Sequence, residues 1–177
     1  MKEIYYDIFD SSIGTILVAS TGLGLCLVSI NRDGRAGVLK ELSLRPGFRP
    51  VEDTMRHSEL KADISRYLNG EMVKFKVELD ISIGTEFQRL VWRGLLNIPY
   101  GETRSYKQVA EKIGCPRASR AVGQANGRNP LPIIIPCHRV INSNGSLGGY
   151  SGGIDVKKRL LVIEGISPSL LPQSCRY

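Results

Sequence analysis

Several things are scarce in this sequence, and each scarcity removes a class of protein. No run approaches the ~20 consecutive apolar residues of a membrane-spanning helix. Cysteine occurs four times in 177 residues, at 26, 115, 137 and 175, and never as a Cys-x-x-Cys pair. That spacing speaks against a zinc ribbon or a disulfide framework and favours reduced thiols in an intracellular protein. Met1 to Asp10 are acidic and mixed, unlike a secretory signal. What remains is ordinary globular composition, with 42% hydrophobic and 23% charged residues, which argues against a disordered chain. A chain this long can bury roughly two thirds of its unfolded surface and needs no covalent staple.

Acidic residues are scarce in one half only. Up to Ser82 there are eleven Lys/Arg against twelve Asp/Glu; from Ile83 onward there are thirteen against five. The whole net charge of +7 therefore arises in the second half. Such asymmetry is the footprint of a nucleic-acid partner, and equally of a soluble basic face.

The first half reads as a strand meander followed by helices. Glu3 to Asp10, Gly14 to Ser20 and Leu25 to Ile30 are short Ile/Val/Leu/Tyr-rich runs punctuated by turn residues. Gly37 to Leu44 is a candidate short helix. Asp53 is a candidate cap for a helix to Leu68, whose Leu60, Ile64 and Leu68 recur at i+4. Val73 to Leu79 alternates apolar and polar, which predicts another strand. No residue in this half carries evident chemistry, and the boundary falls near Ile81 to Gly84. The fold class expected is α/β: an N-terminal α/β domain over 1–82 with an antiparallel sheet, and a mostly helical domain over 83–177.

The second half opens with two capping boxes, Thr85 with Gln88 and Ser105 with Gln108. The first helix sets Phe87, Leu90, Val91 and Leu95 on one face. The second runs to Ile113 and breaks at Gly114-Cys115-Pro116. A further helix, Arg117 to Asn126, places Ala118, Ala121, Val122 and Ala125 at inner-face spacing. Two short helices around a Gly-containing turn predict a helix-turn-helix of winged-helix type, with Arg117, Ser119 and Arg120 where such motifs meet DNA. An ordinary helical hairpin fits the same pattern. Beyond Asn129-Pro130-Leu131-Pro132, the run Ile133 to Ile141 predicts a buried extended segment, bent at Pro136. A glycine-rich loop, Gly148 to Gly153, precedes a last helix from about Asp155 to Glu164.

Cys137 stands apart from Cys26, Cys115 and Cys175, which suit inert core positions. A polar pair, His138-Arg139, follows it inside an apolar stretch, and a neighbouring His or Arg favours the thiolate nucleophile. On an extended strand His138 would face away from Cys137, so a bent chain or a bridging water is required. Glu164 lies at the edge of the apolar face made by Val156, Leu160 and Ile163. A carboxylate turned toward a core needs a partner, and a Cys–His–Glu relay is one reading. A helix end meeting solvent is the other.

Ile135-Pro136-Cys137-His138-Arg139-Val140 resembles the active-site signature of the O6-alkylguanine-DNA alkyltransferases. The resemblance covers about Thr85 to Gly165. It includes Ile98 to Glu102, Ser105-Tyr106, Ser119 to Gly123, Asn129-Pro130, Tyr150 to Gly153 and Leu160 to Gly165. It implies irreversible transfer of an alkyl group from guanine O6 to Cys137, with His138 drawing the thiol proton through a water and Glu164 orienting it. It also implies Tyr106 as donor to the guanine ring and Asn129 as hinge between recognition helix and cysteine loop. Pro132, Val140, Tyr150 and Ser151 would line the guanine pocket, and the carbonyls of Cys137 and Val140 would accept from the exocyclic amine. Arg120 would fill the gap left by a flipped base. Ala118, Ser119, Ala121 and Gly123 would permit close approach in the minor groove, with Lys107 and Arg117 on phosphates.

No cofactor is expected, and with only Cys26 and His57 in the first half no zinc site either. The resemblance implies a monomer on double-stranded DNA bearing O6-alkylguanine, with no membrane partner, cytoplasmic in a prokaryote and nuclear in a eukaryote. Residues 124–128 belong to a stretch that varies in the family and leave the tolerated alkyl size open. Two other classes compete: a lesion sensor without chemistry, against which Cys137-His138 argues, and a thiol hydrolase, against which the basic half argues.

Overall fold

A computed structural model describes residues 2–43 and 47–167. It divides into two compact units, the first ending at Ile83 and the second beginning at Gly84. Leu44 and Cys175 lie outside the described residues.

In the first unit, β1 (Lys2–Ser11), β2 (Gly14–Thr21) and β3 (Gly24–Asn31) form an antiparallel meander, with a bulge at Ala19/Ser20. A fourth strand, β4 (Phe48–Glu52), was not foreseen; it pairs parallel to β1, so the sheet is mixed in the order β3-β2-β1-β4. Pro50 within β4 hid it, since proline suits only an edge strand. β2 is central, and Thr15 to Thr21 are all buried, so both faces are covered. Leu17, Ala19, Leu27 and Ile4 pack with Val38 and Leu42 of α1 (Gly34–Ser43). On the other side, Ser20 and Asp7 meet His57 and Lys61 at the start of α2 (Ser58–Leu68). Asp53 does not cap α2; it accepts from Arg56 N in the turn before it, and His57 holds the cap position.

Val73 to Leu79 is not a strand. Its alternation is real, because residues 73, 75, 77 and 79 are half-buried while 72, 74, 76 and 78 are exposed. It forms a single bridge, Leu25 to Leu79, and Phe75 lies edge-on to Tyr67 at 5.9 Å. Period-2 alternation reports which side faces the core, not whether a ladder exists.

The second unit is helical. Both capping boxes form: Thr85 with Gln88 opens α3 (Glu86–Leu95), and Ser105 with Gln108 opens α4 (Tyr106–Lys112). The buried face of α3 is Val91, Trp92 and Leu95, whereas Leu90 is 41% exposed. Trp92 wins the core because its indole N–H finds Ala125 O at 2.9 Å. A turn over 113–118 leads to α5 (Ser119–Gly127), which packs on α3 and α4 through Val122, Ala125 and Asn126. Ala121 is exposed, and Ala118 and Gly123 are half-buried, so the foreseen inner face is rotated. A two-residue parallel ladder joins β5 (Arg104–Ser105) to β6 (Val140–Ile141). The last helix, α6 (Ile154–Ile163), buries Val156, Lys157, Leu160 and Leu161.

Candidate active site

The segment carrying Cys137 is buried but not extended. Residues 131–135 turn, with Ile135 N donating to Leu131 O at 2.8 Å and Ile133 in the left-handed region at φ 74. That conformation strains a β-branched residue. Prolines at 130, 132 and 136 lack the donors a ladder needs. Asn129 holds the turn instead: its Nδ2 donates to Ile135 O at 2.8 Å and its Oδ1 accepts from Leu131 N at 3.0 Å. Cys137–Arg139 then form one 3-10 turn.

Cys137 is 1% exposed. Burial raises its thiol; hydrogen bonds from the Asn129 and Tyr150 side chains and the charge of Lys157 act the other way. His138 is fully buried, and its Nε2 lies 2.8 Å from Glu164 Oε1. Burial pushes the His138 pKa down, against the Glu164 hydrogen bond and charge, which favour the proton. The ring is therefore neutral, donates through Nε2 and keeps its lone pair on Nδ1. Glu164 does turn inward. Besides His138, Arg139 donates to it from Nη2 and Nε at 2.9 Å each, and Gly101 N at 3.1 Å. A carboxylate ringed by donors is held ionised. Arg139 Nη1 also donates to Ile98 O at 2.6 Å, so Ile98, Gly101 and α6 converge on one ion pair.

Tyr106 begins α4 and is buried enough that its phenol pKa is raised, with the Cys137 charge adding to this. Its ring is wedged between α5 and the glycine-rich loop. A Cβ at Gly123 would sit 3.7 Å from the ring, and one at Gly148 (φ +67) only 2.8 Å from the hydroxyl. Gly148 is thus required twice, by its backbone and by Tyr106. Pro132 and Val140 are buried, Tyr150 is half-buried and Ser151 is exposed. The carbonyls of Cys137 and Val140 already have protein donors: Asn126 Nδ2 at 3.3 Å and Lys157 Nζ at 2.6 Å. The Cys137 carbonyl also accepts from Val140 N, so both of its lone pairs are engaged.

Arg117, Arg120 and Lys107 are exposed, and Ser119 is half-buried. Lys107 approaches Glu111 at 4.0 Å, a distance that restrains it little. The structure thus gathers Cys137, His138, Glu164, Tyr106, Asn129 and Tyr150 in one unit, with Arg120 on a separate exposed stretch of α5. Sequence reading missed Arg139 as a ligand of Glu164, and missed Asn126 and Lys157 entirely. Lys157 stands four residues before Leu161 and seven before Glu164, a spacing that marks the buried face.

Two family models match the chain: "6-O-methylguanine DNA methyltransferase, DNA binding domain" over residues 86–166, and "6-O-methylguanine DNA methyltransferase, ribonuclease-like domain" over residues 4–81. A methylated-DNA–protein-cysteine methyltransferase of Methanosarcina acetivorans is 46% identical over 162 residues, covering 92% of this chain and 99% of that protein. One of Mycobacterium bovis is 44% identical over 162 residues, covering 91% and 92%. Among solved structures, Mycobacterium tuberculosis OGT in complex with DNA superposes with a TM-score of 0.76 at 41% identity, covering 96% of this chain and 95% of that one.

Proposed function

The chain belongs to the 6-O-methylguanine DNA methyltransferase family, and from that premise we propose that it repairs DNA by moving an alkyl group from guanine O6 irreversibly to Cys137. The observation that carries the reading is the buried thiol of Cys137 beside a neutral histidine locked to an ionised carboxylate.

The thiol proton passes through a solvent bridge to His138 Nδ1. Glu164 holds Nε2–H throughout and balances the imidazolium that forms. The sulfur attacks the alkyl carbon in line. An S–C bond forms, the C–O6 bond breaks, and its electron pair stays on guanine. Tyr106 gives a proton to the guanine ring and regains one from the His138 imidazolium through solvent, so the dealkylated guanine, which stays in the DNA, gains the one proton that the thiol lost. Burial of Cys137 means that a paired base cannot reach it without leaving the duplex. Arg120, exposed on α5, fills the vacated stack, while Ala118, Ser119, Ala121 and Gly123 let the helix approach the minor groove. Lys107 and Arg117 meet phosphates. Pro132, Val140, Tyr150 and Ser151 border the guanine site, and Asn129 ties α5 to the cysteine turn. In this reading α4 and α5 act as a helix-turn-helix, the protein works within the cell as a monomer, and one molecule repairs one lesion without a cofactor.

Mass spectrometry after mixing with duplex containing O6-methylguanine tests this. One added methyl on the Cys137 peptide is expected. Binding without that gain would overturn the reading in favour of a lesion sensor, and loss of both binding and gain would overturn it in favour of a thiol hydrolase.

A further inference from the structure

Lys157 is a lysine with no exposed surface, in α6. Its ammonium donates to Val140 O at 2.6 Å and to Leu147 O. Both acceptors are neutral, and among the described residues no carboxylate faces it. A buried charge without a counter-charge is costly, and folded proteins keep one where something uses it. Burial pulls the Lys157 pKa down to about 8, and the one acid that pushes the other way is Cys137. The influence is mutual: the lysine charge favours the Cys137 thiolate and lowers the His138 pKa. Of the other charged groups of this region, Glu164 pairs with both Arg139 and His138.

We propose that Lys157 is an electrostatic positioning residue for the transfer, its ammonium fixed by the carbonyls of Val140 and Leu147 as the positive charge against which the Cys137 thiolate forms. Val140 closes the turn that begins at Cys137, and Leu147 leads into the loop that carries Tyr150. One side chain therefore ties the nucleophile's turn to the loop beside it and supplies the charge that loss of the thiol proton calls for. The same charge helps keep His138 neutral and free to receive that proton. His138 removes the proton; Lys157 stabilises what is left. Lys157 gains and loses no proton in the step. The inference rests on Cys137 being the alkyl acceptor.

The test uses the full chain. Methyl gain on Cys137 of the wild type from O6-methylguanine duplex comes first; its absence would remove the premise and say nothing against the lysine. The Cys137 thiolate is then titrated by the pH dependence of its reaction with iodoacetamide, resolved by peptide and without DNA, in the wild type and in Lys157→Met. The expected result is a midpoint higher by about one unit or more, and transfer at pH 7 slower by roughly tenfold, regained in part as the pH is raised. Lys157→Arg, if it folds, should bring the midpoint back toward the wild type. An unmoved midpoint in a folded Lys157→Met protein that transfers methyl at the normal rate overturns the proposal. Should Lys157→Met fail to fold, carbon NMR of the wild-type lysine side chain decides. A pKa near 8 that falls once Cys137 is methylated supports the proposal; an ordinary lysine value, or no response to methylation, overturns it.

Discussion

The two histidines of this chain sit in different units, both buried, both with a pKa pushed down by burial. His57 is paired with a neutral hydroxyl, Ser20 Oγ at 2.9 Å, on the sheet side of the first unit. His138 is paired with a carboxylate, Glu164 at 2.8 Å, which in turn holds Arg139. The contrast extends to the neighbourhoods. Apart from Asp7, the first unit's buried polar groups other than His57 are hydroxyls; the second unit buries Asn126, Asn129, Lys157 and Glu164 around one thiol. Imidazole is the same in both places. A hydroxyl partner can only orient it, whereas a carboxylate can also balance the charge it acquires on taking a proton. The second unit spends stability on keeping ionisable groups out of water.

The comparison breaks most sharply at the cysteine. Cys137→Ser should lose methyl transfer below detection while duplex binding persists, because a hydroxyl ionises far less readily than a thiol; single-turnover assay with gel shift checks it. Next in size, Glu164→Gln should destabilise the protein by about 3 kcal/mol or more, since it strips the anion from a buried ion pair. Chemical denaturation should show the loss, and His57→Gln in the other unit should show much less. Arg120→Ala should slow repair of duplex by roughly tenfold, about 1.4 kcal/mol, yet leave the reaction with free O6-benzylguanine almost unchanged, because only the duplex must lose a stacked base. Equal losses on both substrates would make Arg120 a fold residue. Replacing Lys107 or Arg117 should flatten the log–log salt dependence of binding by up to about one unit each.

The smallest effect is on stability against pH. Both histidines have folded pKa values below the ordinary 6.5. As pH falls through 6.5 the unfolded chain takes up protons that the folded chain refuses, so stability falls toward acid and is fully present above that value. His57→Gln should remove the first unit's share of that slope, seen by comparing urea unfolding at pH 7 and pH 5.

Much of this was legible in the residues. Both capping boxes form from their T-x-x-Q and S-x-x-Q spacing, because a cap is a local interaction. Glu164 was legible as an inward carboxylate because its register on α6 follows Leu160. The misses were tertiary. β4 exists because β1 had a free edge, which FRPVE alone does not announce. Val73 to Leu79 alternates correctly but has no strand to pair with beyond one bridge. The cysteine segment looked extended because three isoleucines favour strands, yet Asn129 satisfies the backbone in a turn instead. Lys157 was not singled out, since nothing local says which of two adjacent lysines points inward.

The two-residue ladder between β5 and β6 pairs Arg104 with Val140 and Ser105 with Ile141. Tyr106 follows directly on one side, and the Cys137 turn directly precedes the other. The ladder is therefore a gauge block that sets the spacing between the phenol and the thiol. Slipping it by one residue would move one group past the other by about 3.3 Å and invert the alternation of faces. Length changes at the exposed 143–144 turn leave that gauge untouched, whereas a single insertion between Cys137 and Val140 would not. Relatives of this chain should accordingly differ in length in the first place and never in the second.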